Sequence, residues 1–187
     1  MDQRIKAGKP IARKWYERDN TVALAREMIG LTLCRRMPHG SINRLMIHET
    51  EAYDGPEDRA CHAHGNRRTK RTAVMFERGG LSYIYLCYGI HWLLNIVTGP
   101  AEYPAAVLIR GAGAYDGPGK LTRATALDGE LNQKALNRTN GLWLEDPGTR
   151  PFKNSDIVAT PRIGIDYAGP QWSMVEYRFV LNANQNV

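Results

Sequence analysis

Cysteine is scarce and unpaired. Cys34, Cys61 and Cys87 are an odd set at scattered spacing with no CxxC. That excludes a disulfide framework and a zinc ribbon, and leaves reduced, mostly buried thiols. No apolar run approaches the roughly 20 residues a membrane-spanning helix needs. Met1-Asp2-Gln3-Arg4-Ile5-Lys6 is followed by no apolar signal core, so an intracellular location is expected. Gly79-Gly80 and Gly117-Pro118-Gly119 form neither GxGxxG nor a Walker loop, which argues against a nucleotide cofactor. No serine sits in GxSxG and no cysteine in a protease-type signature. Cys61-His62-Ala63-His64, with Asp58 nearby, lacks a further ligand at metal spacing. Neither a metal nor an organic cofactor is expected.

What is present is enough for one domain with its own core: 187 residues, 43% apolar and 24% charged. There are 25 Lys and Arg against 19 Asp and Glu, a net charge of +6. Such a balance suits a nucleic-acid partner without establishing one. Residues 1–18 are basic and aperiodic, and the first 13 are expected to be a loose, disordered basic segment.

The chain is organised around Glu49-Thr50-Glu51-Ala52-Tyr53-Asp54-Gly55-Pro56-Glu57-Asp58, which follows the apolar run Leu45-Met46-Ile47. Alternate residues of a strand share a face, so Glu49, Glu51 and Tyr53 point the same way. Two carboxylates and a phenol beside a turn make a poor core and a plausible site. Ahead of this strand, Thr21 caps a helix over Val22–Ile29 that Gly30 ends, and Leu31–Cys34 is a strand. A polar loop over 56–73 carries Arg67, Arg68, Lys70 and Arg71.

Leu81–Thr98 is aromatic and β-branched, interrupted at Tyr88-Gly89, and reads as a hairpin. Tyr83 and Tyr85 share a face of its first strand. Tyr88 falls at the turn, where an exposed aromatic calls for a reason. His91, Leu93, Asn95 and Val97 share a face of the second strand. Ala105–Arg110 is a further buried strand with a cation at its exit. Helices are expected over Lys120–Leu127 and Leu131–Leu136, and short strands over Gly141–Leu144, Arg162–Ile165 and Val175–Leu181. Many strands and few helices predict an α+β domain: a curved, mostly antiparallel sheet with flanking helices and a protruding hairpin.

Carboxylates are the remaining candidate catalysts. Glu49 and Glu51 lie about 6.5–7 Å apart by strand rise, but acids side by side on one strand do not flank a sugar bond as a glycosidase pair does. One carboxylate activating water, acting on a substrate whose leaving group departs readily, fits better. Taken singly, Tyr83 reads as core and is left out of the site. His62 reads as structural, Asn95 as a backbone partner and Arg110 as a strand-end cation.

Together the acidic stretch, His62, Tyr83–Trp92 with Asn95, Ala106–Arg110 and Gly117-Pro118-Gly119-Lys120-Leu121 resemble the alkyladenine (3-methyladenine, N-methylpurine) DNA glycosylase family, over about residues 14 to 180. The resemblance implies a single glycosylase domain over 14–187. It would act as a monomer on double-stranded DNA, flip damaged purines, alkylated or deaminated, and hydrolyse their N-glycosidic bond in base excision repair. By position, Glu51 resembles the base that deprotonates water and Arg110 the residue that helps hold that water. Tyr53, His62 and Tyr85 resemble aromatic pocket walls, and Asn95 the side chain that excludes guanine. Leu108, Ile165 and Ala60 resemble pocket neighbours, and Tyr88 the wedge that fills the vacated stack. Arg67, Arg68, Lys70, Arg71 and Lys120 are candidate phosphate contacts. Thr72 and Asp166 stand where the family usually has Asn and Gly, and His91 at a variable position. Two other readings of the residues stay open: a non-catalytic nucleic-acid-binding module on a similar sheet, and a hydrolase of free nucleosides.

Overall fold

Ile42–Asp54, which contains the acidic stretch, forms one 13-residue strand, and the sheet is built on it. In the computed structural model, which describes residues 5–182, the strands in chain order are β1 (Lys9–Pro10), β2 (Thr32–Arg36), β3 (Ile42–Asp54), β4 (Ser82–Cys87) and β5 (His91–Val97). They continue with β6 (Ala105–Ala112), β7 (Tyr115–Asp116), β8 (Leu142–Asp146), β9 (Ile157–Thr160) and β10 (Arg178–Leu181). The helices are α1 (Arg13–Tyr16), α2 (Thr21–Met28), α3 (Pro118–Ala124) and α4 (Pro170–Ser173). Every pairing is antiparallel, in the order β1-β8-β2-β3-β6-β5-β4, with β10 joining β3 to β9 and β7 lying on β6. The fold is α+β, an open antiparallel sheet with few helices.

The β3–β6 pairing is irregular where the function is concentrated. Ile47 pairs with Ala112, Glu49 with Gly111 and Thr50 with Ile109. His48 is therefore an extra residue on β3, and Arg110 an extra residue on β6. Such bulges re-aim side chains, and here they set Arg110 against both acids of β3. Gly111 is needed opposite: a Cβ there would lie 2.3 Å from the His48 ring.

Helix α2 lies across β3 and β6. It buries Leu24, Ala25 and Met28, the last two in a core with Ile47, Ile84, Leu94, Ile96, Val107, Ile109 and Phe179. Emptying such a position, as in Leu24→Ala, costs about 2–5 kcal/mol. The Thr50 hydroxyl donates to the Ala25 carbonyl at 2.8 Å, tying helix to strand.

Three local expectations are corrected. The cap of α2 is Asn20, whose carboxamide oxygen accepts from the Ala23 N–H at 2.9 Å. Thr21 is instead buried, its hydroxyl 3.0 Å from that of Thr98. Leu131–Leu136 is not a helix: after a 3₁₀ turn at Gly129–Leu131, the chain runs along β4. There Asn132 Oδ1 accepts from the Ile84 N–H, and Gln133 N–H donates to the Ser82 carbonyl. Covering a sheet edge satisfied more backbone groups than a short polar helix could. Arg162–Ile165 is not a strand either. The strand there is β9, before Pro161, and Gly164 sits at φ +73°, outside strand geometry.

Of the basic N-terminal stretch, Lys9 and Pro10 pair with Asp146 and Glu145. Gly8 N–H and the Arg44, Arg138 and Trp143 side chains all donate to the buried Glu145 carboxylate. Although burial pushes its pKa up, the Trp143, Gly8, Arg138 and Arg44 hydrogen bonds outweigh it and bring the group down to about 2. Arg4 lies outside the described residues.

Candidate active site

Alternation along β3 puts Glu49, Glu51 and Tyr53 on one side, and the paired bulges bring Arg110 to them. Glu51 is wholly buried. Its Oε1 accepts from the Ile163 backbone N–H at 2.9 Å and lies 3.5 Å from Arg110 Nε. Its Oε2 accepts from the Tyr53 hydroxyl at 2.9 Å. Glu49 takes the shorter bonds from arginine: Arg110 Nε at 3.0 Å and Arg178 Nε, from β10, at 2.6 Å. Arg110 is not the dominant influence on the Glu51 carboxyl. Burial lifts the carboxyl above its usual range. The Arg110 charge, the Ile163 N–H and the Tyr53 hydroxyl pull it back only in part, and Glu49 adds to the rise. A carboxylate raised towards working pH is a better proton acceptor than an ordinary one. Burial and the neighbouring Glu51 also push the Tyr53 phenol well up, so it stays a donor.

In front of this group opens a cavity of about 520 Å³. Tyr53, Ala60, His62, Tyr83, Tyr85, Asn95, Leu108, Arg110 and Ile165 all line it, with Leu86, Tyr88, Ile163 and Tyr167 among its outer residues. Glu51 is one contact behind the wall, reached through Tyr53, Arg110 and Ile163. The volume is that of a ligand pocket able to take a flat bicyclic base.

The aromatic side has its own wiring. His62 lies edge-on to Tyr85, ring centroids 4.8 Å apart, and its Nδ1 is 2.9 Å from the Tyr83 hydroxyl. Arg71 folds its guanidinium over the Tyr85 ring at 4.3 Å and donates from Nε to the Tyr83 hydroxyl at 3.2 Å. Burial, and then the Arg71 charge, push His62 down to about 4, so the imidazole is neutral at neutral pH. His62 and His64 share no ligand geometry: His64 Nδ1 is bonded instead to the Pro56 carbonyl at 2.7 Å. Asn95 donates across the hairpin to the Tyr83 carbonyl at 3.2 Å while still facing the cavity. Ala60, Ile165 and Ala168 form a small cluster against Tyr53 and Trp172.

Tyr88 is 92% exposed at the tip of the β4–β5 hairpin. The turn is closed by Ile90 N–H to the Cys87 carbonyl at 3.0 Å, with Tyr88 and Gly89 at φ +50° and +69°. Positive φ at both central residues suits a hairpin turn, but a bulky aromatic there is strained. Held strain and an exposed ring together point to a functional position.

The cationic residues divide. Arg67, Lys70 and Lys120 project into solvent. Arg68 is bound to Glu102 at 2.7 Å and stacks over Phe76. Arg71, expected with the phosphate contacts, is folded onto the cavity wall. Thr72 closes this loop, donating to the Arg67 carbonyl at 2.7 Å and accepting from the Thr69 N–H at 2.8 Å. Asp166 opens a 3₁₀ turn with its side chain exposed, and His91 packs on Gly119.

Sequence reasoning left Tyr83 out of the site, took Arg71 for a phosphate contact, and passed over Tyr167 and Arg162. Tyr83 had a signal, since it shares a face with Tyr85. Tyr167 reaches the cavity by a hydroxyl bond to the Ala60 carbonyl at 3.1 Å, and nothing local announces it.

Residues 14–115 and 112–185 match the family described as methylpurine-DNA glycosylase. The chain belongs to the methylpurine-DNA glycosylase family. Its relatives agree along most of their length. A Psychrobacter cryohalolentis protein named "Putative 3-methyladenine DNA glycosylase" is 40% identical over 183 residues, 83% of this chain and 84% of that one. Proteins of the same name from Chlamydia felis and Chlamydia pneumoniae are 34% and 37% identical, covering 94% and 88% of this chain and 98% and 91% of theirs. As a methylpurine-DNA glycosylase the protein is a DNA-repair hydrolase of N-glycosyl bonds at alkylated purines. Neither a non-catalytic binding module nor a free-nucleoside hydrolase describes that family. Among the described residues, no helix is long and apolar enough to cross a membrane.

Proposed function

We propose that this methylpurine-DNA glycosylase removes 3-methyladenine and related alkylated or deaminated purines from double-stranded DNA by flipping the nucleotide and hydrolysing its glycosidic bond through Glu51. The observation that carries the reading is the Glu51 carboxylate, held by Ile163, Tyr53 and Arg110 directly behind the wall of an aromatic cavity.

A purine inside the duplex cannot reach Glu51, so the nucleotide must leave the stack. That costs a few kcal/mol, least for damaged or mispaired bases. Tyr88 fills the vacated space from the hairpin tip. Tyr53, Tyr85 and His62 receive the flat, electron-poor base by stacking, and Asn95 crowds the exocyclic amine of normal guanine. A carboxylate accepts at about four lone-pair sites. Ile163 and Tyr53 take one on each oxygen, which leaves room for water. Glu51 accepts the water's proton as its oxygen adds to the sugar carbon and the bond to the purine nitrogen breaks. Arg110 helps hold that water. A purine methylated at a ring nitrogen is cationic in the nucleotide and departs as a neutral base, so no second carboxyl is needed; a deaminated or etheno purine is uncharged and takes a proton from solvent as it leaves. Arg67, Lys70 and Lys120 contact phosphates without reading sequence; Arg68 joins them on release from Glu102.

Family similarity from residue 14 onward supports a catalytic domain over 14–187. A cavity lined entirely by residues of this chain supports action as a monomer, and a DNA substrate supports an intracellular location.

The test is a set of duplexes, each with a single 3-methyladenine, hypoxanthine or ethenoadenine, assayed for free base and for abasic sites. Free base with intact strands, and no covalent product on borohydride treatment, is expected. Strand cleavage or a trapped adduct would replace water with an amine nucleophile. Salt-sensitive binding to damaged and undamaged duplex alike, without release of base, would refute the reading.

A further inference from the structure

Asp58 and Arg162 form an ion pair in which both side chains are fully buried. They are 104 residues apart, and Arg162 Nη2 donates to Asp58 Oδ1 at 2.9 Å. Asp58 also accepts from the backbone N–H groups of Asp54 and Ala60, at 3.1 and 2.9 Å, and so shapes the turn that carries Ala60 to the cavity. Arg162 Nη1 donates to the Ala52 carbonyl at 2.7 Å, one residue beyond Glu51. Its guanidinium lies 4.9 Å from the Tyr53 ring centroid.

The next residue is Ile163, whose N–H reaches Glu51 Oε1 at 2.9 Å. Little else steadies that amide. Ile163 and Gly164 are exposed, and the segment is neither helix nor strand. Nor is stability a good reason for the pair. Buried ion pairs gain little over apolar residues of the same volume, and this one leaves Arg162 Nε without an acceptor.

We propose that Asp58 and Arg162 are positioning residues for the reaction: their pair holds the Ile163 amide on Glu51 and so fixes the orientation of the carboxylate that activates water. The inference rests on reading Glu51 as the base. The groups facing Glu51 are Glu49 and Tyr53 on β3, Arg110 on β6, and the Ile163 amide with Arg162 from the loop; Arg178 on β10 faces Glu49. Of these, Arg162→Lys and Asp58→Asn alter the loop side, and β3 only through the Arg162 guanidinium over the Tyr53 ring.

The test is single-turnover release of methylated purine from methylated duplex DNA between pH 5 and 9, by Arg162→Lys, Asp58→Asn and Glu51→Gln. Melting curves and duplex affinity accompany each. Lysine keeps the charge but not the forked contact. The expected result for Arg162→Lys and Asp58→Asn is release about 10- to 100-fold slower. Their acidic limb moves to higher pH, as loss of a donor to the carboxylate requires, with folding and binding of methylated duplex retained. Wild-type rate and pH profile in either folded variant would overturn the proposal. So would a rate that falls only with the folded fraction, with an unmoved limb. Should Arg162→Lys fail to fold, Asp58→Asn, nearly isosteric, decides alone. A fully active Glu51→Gln would refute the assignment of the base itself, which is a separate failure.

Discussion

Tyr53 donates its hydroxyl to Glu51 at 2.9 Å from two places further along the same strand. Its ring at the same time forms part of the cavity wall. In the proposed mechanism one residue thus supports the base and receives the purine, and the two roles come apart by mutation. Tyr53→Phe keeps the ring and removes a donor that lowers the Glu51 pKa. The acidic limb of the rate profile is expected at higher pH, with affinity for methylated duplex little changed. An unmoved limb would show that the hydroxyl does not tune Glu51.

His62 is pressed down to about 4 by burial and by Arg71. Depression of a basic group means that the unfolded chain takes up the proton first. Its contribution to stability is therefore present at neutral pH and is lost as pH falls from 6.5 through the folded value. Imidazole NMR titration should give a value near 4 in the wild type and a higher one in Arg71→Gln. An unaltered His62 in that variant would show that Arg71 does not act on it electrostatically.

Tyr88 is exposed and held at positive φ, so its place on the tip is not explained by stability. Tyr88→Asn, a residue that tolerates this conformation, should leave the melting temperature unchanged or raise it, by up to about 1 kcal/mol of stability. Lesion binding and base release should fall. A drop in melting temperature with full activity would invert the assignment.

Burial raises Glu51 in the folded state, so holding it ionised opposes folding. Its favourable contribution is complete below the unfolded value of 4.5 and is lost as pH rises. Glu51→Gln, which mimics the neutral acid, is expected to melt higher than the wild type at pH 8, with the difference shrinking towards pH 4. The reverse trend would mean that Arg110, Ile163 and Tyr53 outweigh burial.

The parts of this site that repeat every second residue were legible in the sequence. Alternation in Glu49–Tyr53 and Tyr83–Tyr85 gave the strands, the shared faces and the hairpin with Tyr88 at its tip. What was not legible depends on contacts between distant segments. Asp58 finds Arg162 across 104 residues, and no local pattern links them. Arg71 looked like its neighbours Arg67 and Lys70, and only the loop closed by Thr72 brings it over Tyr85. The helix expected over Leu131–Leu136 also failed, because the backbone there was needed along the edge of β4.

The most direct measurement is the single-turnover rate of Glu51→Gln on duplex DNA carrying methylated purines, with binding followed in parallel. Base release slower by about 10²- to 10⁴-fold is predicted, the usual contribution of a general base, with affinity for the damaged duplex retained. Release near the wild-type rate would contradict the account.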